Sequence, residues 1–222
     1  MVRRIGMKLA LLAVLGGLVL AAAPSAWAIK QTFLYFSATS GIQDTARVAP
    51  GIGKGESYLS TIATRNGTMK GSRQVKPLQV RFDFYHIMNG WAAGFGIGMS
   101  TYANKLTFAD GSEVSISSRA LYYGLTYHLR MGGIYPYFGF GSGSHYAQVQ
   151  ELVKINNVWY ASTFFGQATS PVYYNLGVRI PFGSWGVFLN QQATSAPLLA
   201  PTEAKVLELG GVSSLLGLYW GF

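Results

Sequence analysis

What most constrains this chain is a two-residue polarity rhythm, repeated in segments of about ten residues. Residues 77–88, PLQVRFDFYHIM, set Leu78, Val80, Phe82 and Phe84 on one parity and Gln79, Arg81, Asp83 and Tyr85 on the other. Successive side chains of a strand point to opposite faces, so this segment reads as a strand with one apolar and one polar face. Asn89-Gly90 follows, the dipeptide that best fits a two-residue hairpin turn. The return segment WAAGFGIGM (91–99) opposes Trp91, Ala93, Phe95, Ile97 and Met99 to Ala92, Gly94, Gly96 and Gly98. The rhythm recurs over 119–129, 134–147, 171–182, 185–192 and the last strand, LLGLYWGF (215–222). With 30–39, whose parity is ambiguous, that makes eight strands. Tight turns at 89–90, 130–133 and 183–184 alternate with long connections at about 40–76, 102–116, 148–170 and 194–211.

Two solvents could accept the apolar faces. In a soluble eight-stranded barrel of lipocalin type they would line a ligand cavity; in a membrane barrel they would meet lipid. Charged residues are only 11% of the chain and aromatics 14%, whereas soluble domains carry about a quarter charged residues. After residue 28 no apolar run is long enough for a spanning helix, which leaves the closed barrel as the membrane solution. Trp91, Tyr127, Phe182, Trp185, Trp220 and Phe222 fall near the short-turn ends, as an interfacial aromatic girdle would. The expected fold is therefore all-β, an eight-stranded antiparallel up-and-down transmembrane barrel, with both termini on the short-turn side and the four long connections extracellular.

The front of the chain supplies an address. Arg3, Arg4 and Lys8 precede an apolar run from Leu9 to Ala23 and the small-residue sequence Ala26-Trp27-Ala28. This pattern predicts a cleaved secretory signal peptide over 1–28, leaving 29–222 as one barrel domain. With no Cys anywhere, a lipoprotein anchor, disulfides and thiolate metal sites are excluded.

The last strand carries a more specific signal. Gly217, Trp220 and Phe222 resemble, in order and spacing, the C-terminal assembly signal of bacterial outer-membrane proteins, although Leu215 stands where that pattern has a polar residue. The chain thus resembles the small eight-stranded outer-membrane barrels of the OmpA-barrel, OmpW and opacity-like superfamily. That resemblance implies the outer membrane of a Gram-negative bacterium, with its lipid, its lipopolysaccharide and the barrel-assembly machinery as partners. A periplasmic peptidoglycan-binding domain of the OmpA type is not expected after Phe222.

An eight-stranded barrel is just wide enough for side chains to fill. The inward parity holds Tyr122, Tyr135, Tyr137, Asn175 and His145, together with Arg81, Asp83 and Arg179, which should form a buried ionic network because charges in such a lumen need partners. Tyr rings filling the space left by glycines predict a plugged barrel. An OmpW-like conduit for small solutes is the alternative. A lipid A-modifying enzyme is the second alternative, and it would need a His and a Ser near the outer leaflet. Of the three histidines only His145 lies there, near Ser142 and Ser144, and strand parity separates it from both. No metal cluster, cofactor motif or nucleophile elbow is present, so no cofactor is expected.

Net charge is +9, or +6 once Arg3, Arg4 and Lys8 are set aside. Residues 41–76 hold six basic residues, Arg47, Lys54, Arg65, Lys70, Arg73 and Lys76, against Asp44 and Glu56. In an exported barrel such a cluster points to lipopolysaccharide phosphates, through Lys54, Arg65, Lys70, Arg73 and Lys76, and not to nucleic acid.

Overall fold

The computed structural model describes residues 32–53, 55–88, 90–168, 171–200 and 205–221. The expected signal peptide, Lys54, Asn89 of the first turn and Phe222 lie outside the described residues. In chain order the elements are β1 (Thr32–Asp44), α1 (Tyr58–Asn66), β2 (Met69–Lys70), β3 (Gln74–Val75), β4 (Leu78–Met88), β5 (Trp91–Phe108) and β6 (Glu113–Leu129). They continue with β7 (Tyr135–Ile155), β8 (Val158–Gln167), β9 (Val172–Phe182), β10 (Trp185–Ser195), β11 (Pro197–Ala200), β12 (Lys205–Glu208) and β13 (Gly211–Gly221).

Eight of these strands close a circuit, β1-β4-β5-β6-β7-β9-β10-β13, with β13 returning to β1 over Tyr35↔Gly221 to Asp44↔Val212. Every pairing is antiparallel. Closure removes the open edges that lipid would not tolerate. The expected all-β barrel is thus observed. The ambiguity of β1 is also resolved: Ser37, Thr39 and Gln43 are buried toward the lumen, while Leu34 and Ile42 are exposed outward.

Polarity along the tall strands reverses at one level. Low on β5, β6 and β7 the outward residues are apolar and exposed, among them Phe95, Ile97, Met99, Leu121, Leu129, Phe138 and Phe140, and the inward positions are glycine, tyrosine or polar. Met99, Leu121 and Ser144 form one cross-strand row. Above it the outward positions become Thr101, Arg119 and Tyr146, then Ala103, Ser117 and Gln148, then Lys105, Ser115 and Gln150. The inward positions simultaneously become Tyr102, Leu106, Phe108, Val114, Ile116, Val149 and Val153, all buried. A strand whose outer face is greasy below a line and polar above it has passed from lipid into water. Nine residues of β5 lie below the line, Trp91 to Met99, which is the length a tilted strand needs to cross the hydrocarbon.

Above the line the sheet needs a core, and it has one. Helix α1 lays Tyr58, Leu59 and Ile62 against Leu106, Phe108, Val114, Val149 and Phe164, and the hairpin β11–β12 adds Leu198, Ala200 and Leu207. Nine residues are too few for a stable isolated helix, so this packing holds α1 in place. Each fully buried side chain of this size contributes roughly 1.5–3 kcal/mol. The Glu56 carboxylate caps the helix start by accepting from Leu59 N at 2.6 Å, and Ser57 exchanges bonds with Val206 of β12 (2.8 and 3.0 Å). The result is an apolar cap over the long-connection end of the lumen.

The segments expected as long loops are therefore rich in regular structure. Within 102–116 the chain leaves regular strand only at 109–112, and within 148–170 β7 and β8 form a hairpin turning at Asn156 and Asn157, both at positive φ. The segment 40–76 contains α1, and 194–211 contains β11–β12. The physical reason is the inversion itself: alternation persists above the membrane, with its apolar side turned inward.

Candidate functional site

Three charged side chains converge in the lumen, below the cap. Arg81 and Asp83 stand two residues apart on β4, hence on one face, and Arg179 comes from β9 across the barrel. Asp83 is fully buried and accepts from Arg81 Nε at 2.6 Å and from Arg179 Nη2 at 3.0 Å. Arg81 also donates to Thr126 Oγ1 (3.1 Å) and Tyr173 Oη (3.3 Å). Arg179 donates to Tyr85 Oη at 3.0 Å, and its guanidinium carbon lies 5.0–5.7 Å from the ring centroids of Tyr35, Tyr85, Tyr137, Phe188 and Tyr219. The quadrupoles of those rings favour a cation where water is scarce.

Glycine makes the space for this network. A Cβ on Gly96 would sit 2.0 Å from Asp83 Oδ1 and 2.4 Å from Arg81 Nη2, and one on Gly177 would meet the Tyr137 ring at 2.4 Å. The large inward residues of one strand thus occupy the room left by the glycines of the next.

Of the other lumen residues expected from parity, Tyr122 and Tyr137 are buried, Tyr135 is half-buried at the short-turn end, and Asn175 is buried with Oδ1 unpartnered. Tyr122 packs edge-on against Tyr173 and His145. His145 is buried, 1% exposed, at the junction of polar lumen and apolar cap. Its Nε2 lies 2.5 Å from Ser118 Oγ. The serine beside it is thus not Ser142, whose hydroxyl donates to Pro171 O at 2.6 Å. Nothing in the sequence singles out Ser118, because it sits on the neighbouring strand, 27 residues away. Alternation already puts Tyr85 on the face of Arg81 and Asp83, but what Tyr85, Thr126 and Tyr35 touch follows from cross-strand register, which the sequence does not display.

The basic segment is divided. Arg73 turns inward, paired with Glu56 at 3.4 Å and donating to Thr45 O at 2.7 Å. Burial pushes the Glu56 carboxyl up from its ordinary range, with the Leu59 amide and Arg73 opposing that shift. Arg65 is exposed, with Nε donating to Asn66 Oδ1 at 3.1 Å, and Lys70 and Lys76 are exposed. On the closing strand Gly217 faces inward against Thr39 and Phe188, and Trp220 lies outward opposite Trp185 and Phe36. Among the described residues no group of three metal-ligating side chains occurs, and no helix is long and apolar enough to cross a membrane.

A closed circuit of eight strands, an outward apolar belt and a polar lumen define a transmembrane β-barrel. No family model matches the sequence, and no curated protein matches it. Among solved structures the chain is similar to neisserial surface protein A, with a TM-score of 0.45 at 10% identity over 87% of this chain and 100% of that one. It is similar also to Ail, the attachment invasion locus protein of Yersinia pestis (TM-score 0.44, 11% identity, 86% and 97% covered). A third similar structure is a major outer membrane protein from Thermus thermophilus (TM-score 0.45, 10% identity, 86% and 99% covered).

Proposed function

We propose that this is an outer-membrane barrel of a Gram-negative bacterium, non-enzymatic, with a structural or surface-interaction role. The observation that supports it best is the wall that β5 to β8 raise beyond the lipid boundary. Its outer face carries the exposed aromatics Tyr146, Trp159 and Phe165, the last 74% exposed, among Ser, Thr and Gln. Strand β8 pairs only with β7 among the described residues, so a strand edge stands open beside those rings. Open edges and exposed rings are costly in a secreted protein unless something uses them. Lys70 and Lys76 are exposed as well, and such cations attract lipopolysaccharide phosphate.

Because the chain has no Cys, a Phe165→Cys variant can be labelled on intact cells with a membrane-impermeant maleimide. Labelling is expected. Protection until the cells are lysed would place the wall in the periplasm and end the surface reading.

The Ser118–His145 contact is the one arrangement that favours an enzymatic reading. Both side chains are buried beneath the cap, away from the lipid face where a lipid A acyl chain would arrive. Lipid A from cells producing wild type, His145→Ala or no protein should therefore give one mass spectrum. A mass change of one acyl chain that depends on His145 would establish the enzyme instead.

A further inference from the structure

Climbing the outward face of β6, the residues read Leu129, Tyr127, Leu125, Tyr123 and Leu121, and then Arg119. Arg119 is the first charge on that face above the lipid boundary, and it is exposed. It has no ion pair among the described residues. Its neighbours in the cross-strand row are Thr101 on β5 and Tyr146 on β7. With a rise of about 3.4 Å per residue, this row stands about 7 Å along the strand above Leu121. That is the depth at which acyl chains give way to headgroups. A guanidinium flanked by two hydroxyls suits a phosphate there, because its fork donates two parallel hydrogen bonds to two oxygens. The amphipathic ring of Tyr146 belongs at the same depth.

The next two rows differ in character. They hold Ala103, Ser117 and Gln148, then Lys105, Ser115 and Gln150. Their short side chains leave an open concavity of about 470 Å³, lined by these six residues among others. That volume falls within the range of small-molecule sites. Serine hydroxyls and glutamine amides both donate and accept, as sugar hydroxyls do. The concavity faces outward from the barrel wall, across the membrane surface, so its occupant stands on the same membrane.

We propose that this face of β5–β7 binds one lipopolysaccharide molecule of the outer leaflet, with Arg119 on a lipid A phosphate and the Ser115, Ser117, Gln148 and Gln150 concavity around the attached sugars. This site rests on the outer-membrane surface reading and gives that reading a partner. Arg119 lies outside the basic segment 41–76, so the site is separate from the cations of that segment. From the membrane upward the wall is apolar, then cationic, then lined with amides and hydroxyls. Lipopolysaccharide has the matching order of acyl chains, phosphates and sugars. Phosphatidylglycerol has the first two layers and lacks the third.

The full chain, refolded in dodecylmaltoside micelles, is titrated with lipopolysaccharide carrying only inner-core sugars, with the same molecule dephosphorylated, and with phosphatidylglycerol. Wild type should bind the first about tenfold more tightly than either of the others. Arg119→Gln should weaken binding of the first by about tenfold, through loss of charge-assisted hydrogen bonds, and leave the dephosphorylated probe unaffected. Gln148→Ala combined with Gln150→Ala should weaken the first by about three- to tenfold and leave phosphatidylglycerol unaffected. Arg130→Gln, which removes an exposed cation at the short-turn end, should change nothing. Each variant should keep the gel-mobility difference between unheated and boiled protein that marks a closed barrel. Wild-type affinity in Arg119→Gln overturns the proposal, as does equal affinity for phosphatidylglycerol and lipopolysaccharide. An equal loss in Arg130→Gln overturns it too, because general charge attraction would then account for the binding. Any of these results leaves the surface reading standing if Phe165→Cys is labelled on intact cells, whereas labelling only after lysis removes that reading and this site together.

Discussion

At the scale of single residues, Asp83 is the position on which the lumen depends. It is buried completely and holds both arginines. Asp83→Ala leaves two guanidiniums facing each other in a space with little water, and removing one partner of a buried pair costs about 3–5 kcal/mol. The expected outcome is a large drop in the urea midpoint of the refolded barrel, with Asp83→Asn intermediate because it still accepts hydrogen bonds. A midpoint equal to wild type would mean that water screens the pair and that the lumen is wet. Gly96→Ala tests the same network sterically, since the new methyl would press on both Asp83 and Arg81. Gly98→Ala, whose Cβ meets its nearest neighbour at 3.0 Å, is the milder control. The denaturation midpoints should fall in that order. Arg81 and Asp83 could be assigned to the lumen from parity alone, because a charge between two lipid-facing residues has nowhere else to go. The contacts of Ser118 and Thr126 could not be read in this way, because register decides what a small hydroxyl touches, and register depends on every turn of the circuit.

At the scale of elements, the cap hangs on Asn66 at the end of α1. Its Nδ2 lies within reach of Asp110 Oδ2 (2.8 Å), Ser112 Oγ (3.1 Å) and Lys154 O (2.6 Å), so one buried amide joins the helix to the β5–β6 turn and to the top of β7. Asn66→Ala leaves the buried Ser112 hydroxyl and the Lys154 carbonyl without that donor, at a cost of about 1–3 kcal/mol. Amide exchange should quicken in α1 and in 105–114, while 91–99 stays protected. Equal protection in both regions would separate the cap's stability from Asn66. The same contact fixes a pH dependence. The Asn66 amide, helped by Ser112, holds the Asp110 carboxyl below its usual range. Its folded pKa is depressed, so this contribution to cap stability is complete above the ordinary aspartate value and is lost as pH falls through the lower, folded value. Cap exchange should therefore accelerate in acid in the wild type, and Asn66→Ala should remove most of that acceleration. None of this was legible in the sequence, where 102–116 reads as a loop. Lys105, Ser115 and Ser117 look like loop residues to a reader expecting apolar residues outside, whereas here they are the solvent face of strands whose Leu106, Val114 and Ile116 point inward.

At the scale of the whole molecule, the two closures of the lumen lie in series. The Arg81–Asp83–Arg179 plug with its tyrosines blocks the membrane-spanning part, and the core of α1, β11–β12 and the tall strands blocks the outer end. A path through the barrel requires both to open, so conductance should depend on the two sites jointly and not as a sum. Wild type in a planar bilayer should show no steady conductance. Asp83→Ala should show none either, since the cap remains. Ile62→Asp, which places a charge in the cap core at a position 1% exposed, should leave the plug intact and stay silent. The double variant should conduct, and with Arg81 and Arg179 no longer neutralised it should prefer anions. Each variant can be checked for an intact barrel by the difference in gel mobility between unheated and boiled protein, which a closed sheet resisting detergent should retain. Steady current through Asp83→Ala alone would show that the cap does not seal the outer end, and the OmpW-like conduit would become the better account of this protein. A silent double variant with an intact barrel would place a third obstruction in the lumen, with the rings around Arg179 the first to examine by Tyr137→Ala.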